Sequence, residues 1–121
     1  MAHADAAIVT SGTATLETGW FGTPMVVVYK TSILTYLIGR MFVKVKNIGL
    51  VNIVAGKTVV PEFVQYQMRP AAIAAAVRRI LEDKPYVQSM KAGLSVIKEK
   101  LGAPGASARV AEGIIALERA A

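Results

Sequence analysis

The chain has 121 residues, of which 54% are hydrophobic and 18% are charged, and it contains no cysteine. This length suits a single domain, and the apolar fraction excludes an intrinsically disordered chain. The lack of cysteine excludes disulfides and thiolate metal sites, and a single histidine makes a zinc site a poor hypothesis. The longest uncharged stretch, Thr18–Tyr29, is too short to cross a bilayer, and the first residues lack the pattern of a secretory signal. We therefore expect a cytoplasmic protein.

Basic residues outnumber acidic ones, fourteen to eight, which gives a formal net charge of +6. Every residue from Thr18 to Pro61 is non-acidic, while several lysines and an arginine fall inside that span. One half of the molecule should therefore carry a positive field, which favours phosphates, nucleic acid or an anionic membrane. The alternative interpretation is a solvated basic rim without a ligand.

The first half of the chain alternates strand-like and helix-like patterns. Ala6–Thr10 and Met25–Tyr29 are short apolar runs typical of buried parallel strands, and Thr13–Phe21 between them predicts a helix. Ser32–Val43 carries apolar residues at helical spacing, and the apolar run Ile48–Val54 predicts a third strand. Strands that alternate with helices indicate an α/β fold with a short parallel sheet.

The second half of the chain is predicted to be helical. Pro61–Gln67 suits a loop or a short helix, and Pro70 suits the first residue of a helix that ends near Lys84. Leu81 belongs to the predicted apolar face of that helix. Two further helices follow on either side of Gly102, because apolar residues recur there every three or four positions. We expect residues 1–121 to form one domain.

Ser11, Gly12 and Thr13 lie where the first predicted strand turns into a helix. Such a junction presents free backbone N–H groups and the positive end of the helix dipole, which together suit a phosphate. Glu17 lies four residues after Thr13 on the same helix face, where its carboxylate is suited to accept hydrogen bonds from a sugar diol. The alternative is that Ser11 only caps the helix and that Glu17 is a solvated acid near the helix start.

The segment Ser11–Glu17, SGTATLE, resembles one found in lipid-A-disaccharide synthases, which are bacterial glycosyltransferases of the GT-B architecture with two Rossmann-like domains. The resemblance continues in the family's order through four further segments, Gly22–Tyr29, Leu34–Tyr36, Asn52–Lys57 and Val60–Gln65. It covers Ala2 to about Leu81 and corresponds to the later part of the nucleotide-binding C-terminal domain. We therefore expect a partial Rossmann-like domain, the GT-B C-terminal type, with a short parallel sheet and C-terminal helices.

The resemblance implies transfer of 2,3-diacylglucosamine from its UDP-activated form to 2,3-diacylglucosamine 1-phosphate, with release of UDP. It implies that Ser11, Gly12 and Thr13 face the UDP diphosphate and that Glu17 faces the ribose. The family's transfer is inverting and independent of metal, so the resemblance implies no metal and no cofactor. The absence of an Asp-x-Asp pair from the sequence agrees with this expectation.

Three polar residues further along the chain, Asn52, Glu62 and Gln65, match family positions that line the donor cleft. Lys57 departs from the family, in which an arginine is common at this position. Its ammonium group is a compact charge and lacks the two-pronged hydrogen bonding of a guanidinium group. The resemblance covers only the last third or so of such an enzyme, so the acceptor site and the general base fall outside this chain. We therefore expect no catalytic residue here and no activity from the chain alone.

The partners implied by the resemblance are the UDP-diacylglucosamine donor, the N-terminal part of the same enzyme and the cytoplasmic face of a Gram-negative inner membrane. Lys30–Lys46 is the segment expected at the anionic membrane, unless the apolar face of Ser32–Val43 only packs on the sheet. The exposed edge of a short sheet favours homo-oligomers. A non-catalytic nucleotide-binding or assembly module is the alternative function, and nucleic-acid binding is disfavoured because no aromatic residues alternate with the basic ones.

Overall fold

The computed structural model describes residues 2–32, 47–102 and 105–120. The predicted helix Ser32–Val43 and the predicted membrane segment Lys30–Lys46 lie almost entirely outside these described residues. The described residues include all seven residues predicted for the donor site.

Three parallel strands form the sheet, with β2 in the centre: β1 (Ala7–Thr10), β2 (Met25–Tyr29) and β3 (Glu62–Val64). The register pairs Val9 with Val27 on one side of β2 and Val28 with Phe63 on the other. Successive side chains of a strand point to opposite faces, and the first four residues of β2 are all buried, so both faces of the sheet are covered. The predicted α/β class with a short parallel sheet is confirmed.

The described residues also form five α-helices and one short 3₁₀ helix: α1 (Thr13–Trp20), α2 (Leu50–Ala55), the 3₁₀ helix Gln65–Gln67, α3 (Pro70–Glu82), α4 (Lys84–Leu101) and α5 (Ala106–Ala120). Helix α3 packs against β2, while α1, α2 and α4 contact one another. Gly19 lies at the centre of that contact, beside side chains of α2 and α4. Within the described part of the chain, no helix is both long enough and apolar enough to cross a membrane.

The predicted third strand, Ile48–Val54, is wrong because most of that run forms helix α2. Val51, Asn52 and Ala55 are the buried residues of this helix, at spacings of one and three that belong to one face of a helical turn. Gly56 ends it with a φ of 76°, in the left-handed region that favours glycine. A run of seven residues is too short for periodicity to separate strand from helix, and packing decides between them.

The third strand occurs instead at Glu62–Val64, inside the segment Pro61–Gln67 that was predicted as a loop or short helix. The short-helix part of that prediction is confirmed by the 3₁₀ helix Gln65–Gln67. A strand of three half-buried residues carries too little alternation to be recognised from the sequence.

One side of β1 is an open edge of the described sheet, as expected. Ile8 on this strand is 58% exposed and lines an apolar groove together with Ile73, Val77 and Leu81 of α3. Leu81, predicted for the apolar face of α3, therefore lies in this groove and not in the core. Whether the edge leads to homo-oligomers stays a prediction.

The packing of α4 against the residues before β3 can be tested at Gly93. A Cβ atom at Gly93 would lie 2.5 Å from Cγ1 of Val59, and Val59 has a stiff, branched side chain. We expect Gly93→Ala to lower the free energy of unfolding by about 1–3 kcal/mol in urea denaturation. Gly113→Ala in α5 is the control, because nothing lies within 4 Å of the added atom. Equal effects of the two substitutions would contradict this packing.

Candidate functional site

The carboxyl ends of the three parallel strands meet at one edge of the sheet. β1 leads into Ser11–Thr13, β2 leads into Lys30–Ser32, and β3 leads directly into Gln65. Open parallel sheets bind ligands at this edge, because the loops and helix starts that follow the strands converge there. Four of the seven predicted site residues therefore lie in or directly beside the expected crevice.

The turn between β1 and α1 has the backbone of an anion cradle. Gly12 has a φ of 148° and a ψ of −166°, a conformation that is essentially restricted to glycine. Among the described residues, apart from its two chain neighbours, no atom lies within 4 Å of the place that a Cβ of Gly12 would occupy, so the turn faces open space within this part of the chain. At the start of α1, the N–H groups of Thr13 and Ala14 have no acceptor within the helix. These amides and the helix dipole favour an anion at this turn.

Ser11 is held by the chain on both its backbone and its side chain. Its N–H donates to the carbonyl of Val28 at 3.0 Å, and its Oγ donates to the carbonyl of Ile48 at 3.1 Å. No side chain caps the N-terminus of α1, so the alternative in which Ser11 only caps that helix is wrong.

Thr15, in the first turn of α1, contacts this glycine turn and was not among the predicted site residues. It is fully buried, its Oγ1 donates to the carbonyl of Gly12 at 2.7 Å, and it accepts a hydrogen bond from the N–H of Val51 at 3.3 Å. The sequence does carry a signal for this role. Thr15 lies two residues after Thr13, so it faces inward when Thr13 and Glu17 face outward.

Asn52 is fully buried, and its whole carboxamide is used inside the chain. Its Oδ1 accepts from the N–H groups of Val59 and Val60, at 2.7 Å and 3.0 Å. Its Nδ2 donates to the carbonyl of Val60 at 2.9 Å and to Oε1 of Glu62 at 2.6 Å. Asn52 therefore joins α2 to the chain that enters β3, and it has no polar atom left for a ligand in this arrangement.

The Glu62 carboxylate is held by N–H donors. Besides Asn52, the N–H of Ile48 donates to its Oε2 at 2.8 Å, and the N–H of Gly49 donates to its Oε1 at 3.0 Å. Among the described residues, no lysine or arginine forms an ion pair with Glu62. Its negative charge lies at the N-terminus of α2, where the helix dipole favours it.

Gln65 ties the end of β2 to the end of β3. Its Nε2 donates to the carbonyl of Thr31 at 3.0 Å, and its Oε1 accepts from the N–H of the same residue at 3.3 Å. The carboxamide therefore pairs with Thr31 as a strand residue would. Gln65 has a φ of 52°, and a non-glycine residue in this region costs about 1–2 kcal/mol. The two hydrogen bonds hold it there.

Glu17 lies apart from this network on the exposed side of α1. It borders an apolar pocket formed by four neighbours, Leu16, Trp20, Phe21 and Leu101. The structure thus brings Ser11, Asn52 and Glu62 into one hydrogen-bonded network, with Gln65 at the next strand end and Glu17 outside. The ligand contacts of all these residues stay predictions.

Comparison with known proteins identifies the family. Residues 1–111 match the sequence model of lipid-A-disaccharide synthetase. The chain is 54% identical over 111 residues to the lipid-A-disaccharide synthase of Syntrophus aciditrophicus, an alignment that covers 92% of this chain and 29% of the relative. The corresponding figures for the enzyme of Geobacter sulfurreducens are 50% over 107 residues, 88% and 28%. The chain belongs to the lipid-A-disaccharide synthase family.

The family match confirms the predicted resemblance and extends it beyond Leu81 to residue 111. The lipid-A-disaccharide synthase of Myxococcus xanthus, 44% identical over 113 residues, covers 93% of this chain, and 30% of that relative is covered in turn. The chain therefore spans less than a third of the length of these curated relatives. Lipid-A-disaccharide synthases are glycosyltransferases of lipid A biosynthesis, and this chain carries one part of such a sequence.

The buried Asn52–Glu62 contact predicts a pH-dependent defect in Asn52→Asp. The new carboxylate would lie against that of Glu62, so folding would require one of the two to take up a proton. The stability of the variant relative to the wild type should therefore fall between about pH 4 and pH 8, by about 3–5 kcal/mol in total, because the proton shared by the two carboxyl groups is lost as the pH rises.

Chemical denaturation between pH 4 and pH 8 measures this effect. Asn47→Asp is the matched control, because Asn47 is more exposed and uses only its Oδ1 as the acceptor for Thr58, which a carboxylate retains. A pH profile of Asn52→Asp parallel to that of Asn47→Asp would contradict the buried contact.

Proposed function

We propose that this chain forms part of the UDP-sugar donor site of an enzyme that makes the lipid A disaccharide. The reaction is the transfer of 2,3-diacylglucosamine from its UDP-activated form to 2,3-diacylglucosamine 1-phosphate, with release of UDP. The observation that carries the proposal is the glycine turn at the carboxyl end of β1, with open space at Gly12, in a chain of this family. A diphosphate requires such a combination of free amides and space.

The proposed role of the turn is to stabilise the leaving diphosphate. Negative charge grows on UDP as the glycosidic bond to the donor sugar breaks, and preorganised N–H donors lower the energy of that state. The Ser11 hydroxyl already donates to the carbonyl of Ile48, so the backbone amides of the turn are the donors available to the phosphate. Lys30, exposed directly after β2, adds positive charge at the same edge of the sheet.

Glu17 is the proposed ribose contact. Its carboxylate is exposed on α1 and has no hydrogen-bond or ion-pair partner among the described residues. It lies one helical turn from Thr13 on the same face of α1, so a nucleotide whose phosphates bind at the turn places its sugar along this side of the helix. A carboxylate there accepts from both hydroxyls of a ribose diol.

The acceptor site and the general base are proposed to come from the N-terminal part of the same enzyme. Its substrates are acylated phosphosugars, so we place the reaction at the cytoplasmic face of the inner membrane of a Gram-negative bacterium. The basic segment Lys30–Lys46 is the proposed contact with anionic lipid, because each lysine or arginine near such a surface contributes about 1 kcal/mol.

The donor-site proposal predicts that the chain binds UDP more tightly than AMP in calorimetric titration. Glu17→Ala should weaken UDP binding by about 1–3 kcal/mol, because the ribose diol loses a charged hydrogen-bond partner. Glu82→Ala is the matched control, since it removes an exposed acid at the far end of α3. Equal affinities for UDP and AMP, unchanged by Glu17→Ala, would refute the assignment.

A second prediction concerns the chemistry. The chain alone should release no UDP from UDP-diacylglucosamine in the presence of its acceptor, because general-base catalysis alone supplies roughly 10²–10⁴-fold and acceptor positioning supplies more. An assay of UDP release over a range of chain concentrations tests this expectation. Turnover that increases in proportion to the chain concentration would show that the base and acceptor site lie within these 121 residues.

A further inference from the structure

We propose that Glu62 is a positioning residue that holds the turn Ser11–Thr13 in place through the first turn of α2, without touching the ligand itself. The turn follows the carboxyl end of β1, and Glu62 is the first residue of β3, on the other side of β2. The segment Ile48–Val51 bridges them. The effect on ligand binding rests on the proposed donor site, whereas the positioning of the turn by Glu62 rests on the hydrogen bonds alone.

The first step is the attachment of the bridge to Glu62. The carboxylate accepts from two successive backbone N–H groups, of Ile48 and Gly49, and from the carboxamide of Asn52. Hydrogen bonds to an ionised acceptor are roughly twice as strong as neutral ones. Gly49 is buried, and a Cβ there would lie 3.0 Å from Oε1 of Glu62, so the backbone of Gly49 and the carboxylate pack tightly.

The second step is the attachment of the same bridge to the turn. The carbonyl of Ile48 accepts from Ser11 Oγ, directly before Gly12. The N–H of Val51 donates to Thr15 Oγ1, which itself donates to the carbonyl of Gly12. The bridge therefore holds the glycine turn from both sides.

Through these two attachments, Glu62 helps to fix the position of the backbone amides of the turn. Without its carboxylate, the N–H groups of Ile48 and Gly49 lose their acceptor, and the buried segment must move to find another. The Ile48 carbonyl moves with them, so the partner of the Ser11 hydroxyl is displaced. Small displacements of positioned groups weaken binding strongly, and the loss should fall on the phosphates of a ligand and not on its base.

Glu62→Gln tests the proposal in this chain, with NMR titrations of UDP and of uridine. A neutral amide keeps the size of the side chain but replaces one acceptor by a donor that faces N–H groups. The Kd for UDP should rise by about tenfold, the effect of one lost hydrogen bond to a charged group, while the Kd for uridine changes less than about twofold. Glu82→Gln, the same change of charge on the exposed side of α3, should leave both values unchanged.

Two further variants examine the path. Gly49→Ala keeps the charge of Glu62, and the backbone of Gly49 (φ −69°) accepts an alanine. The added Cβ would displace the Glu62 carboxylate, so this variant should reproduce the effect on UDP. Ser11→Ala removes the hydroxyl at the other end of the bridge. The losses from Ser11→Ala and Glu62→Gln should combine less than additively in the double variant, because both act through Ile48. Additive losses, or equal losses for uridine and UDP, would overturn the proposal.

Amide hydrogen exchange separates this proposal from the donor site itself. In Glu62→Gln, and in Gly49→Ala if the first variant does not fold, the N–H groups of Thr15 and Val51 should exchange faster, while those of Leu94 and Ile97 in α4 should not. This result without UDP binding would refute the donor site and keep the positioning role. The positioning role would be refuted, even if UDP binds, by faster exchange throughout the chain or by unchanged exchange of the Thr15 and Val51 N–H groups.

Discussion

The buried carboxamide of Asn52 is the interaction on which the carboxyl edge of the sheet depends. It satisfies three backbone groups of Val59 and Val60, and it donates to Glu62. Since an unsatisfied buried polar group costs about 1–3 kcal/mol, the segment before β3 and helix α2 stabilise each other. Through Glu62 the same contact reaches Ile48 and then Ser11. The proposed site therefore depends on a residue that is itself fully buried.

Two side-chain amides replace backbone pairing where the sheet is short. β3 has only three residues, so its ladder with β2 ends early. Gln65 continues that pairing with its side chain by bonding both the N–H and the carbonyl of Thr31. Asn52 does the same for the residues that enter β3. Backbone groups next to the crevice are thereby satisfied without a longer strand, which leaves the strand ends free to open into loops.

Local patterns predicted β1, β2 and α1, because both strands are short apolar runs and glycine or proline residues separate them from the helix. They did not predict α2 or β3, since such short elements acquire their form from packing. The family resemblance singled out Asn52, Glu62 and Gln65 as residues that line the donor cleft, but residue identity alone does not reveal whether a polar side chain points outward or inward. The structure turns the side chains of Asn52 and Gln65 inward, and only burial and hydrogen bonds reveal that.

The arrangement of charge at this edge follows from the same network. Two helices begin there, α1 and α2, and each presents the positive end of a dipole that attracts anions. The Glu62 carboxylate already occupies the N-terminus of α2, whereas the N-terminus of α1 faces open space at Gly12. A carboxylate left free near the crevice would repel a diphosphate, but one that is bound by three N–H groups presents less of its charge to the ligand. An acid of the chain itself thus lies at the start of α2, and the start of α1 is where we propose that the diphosphate binds.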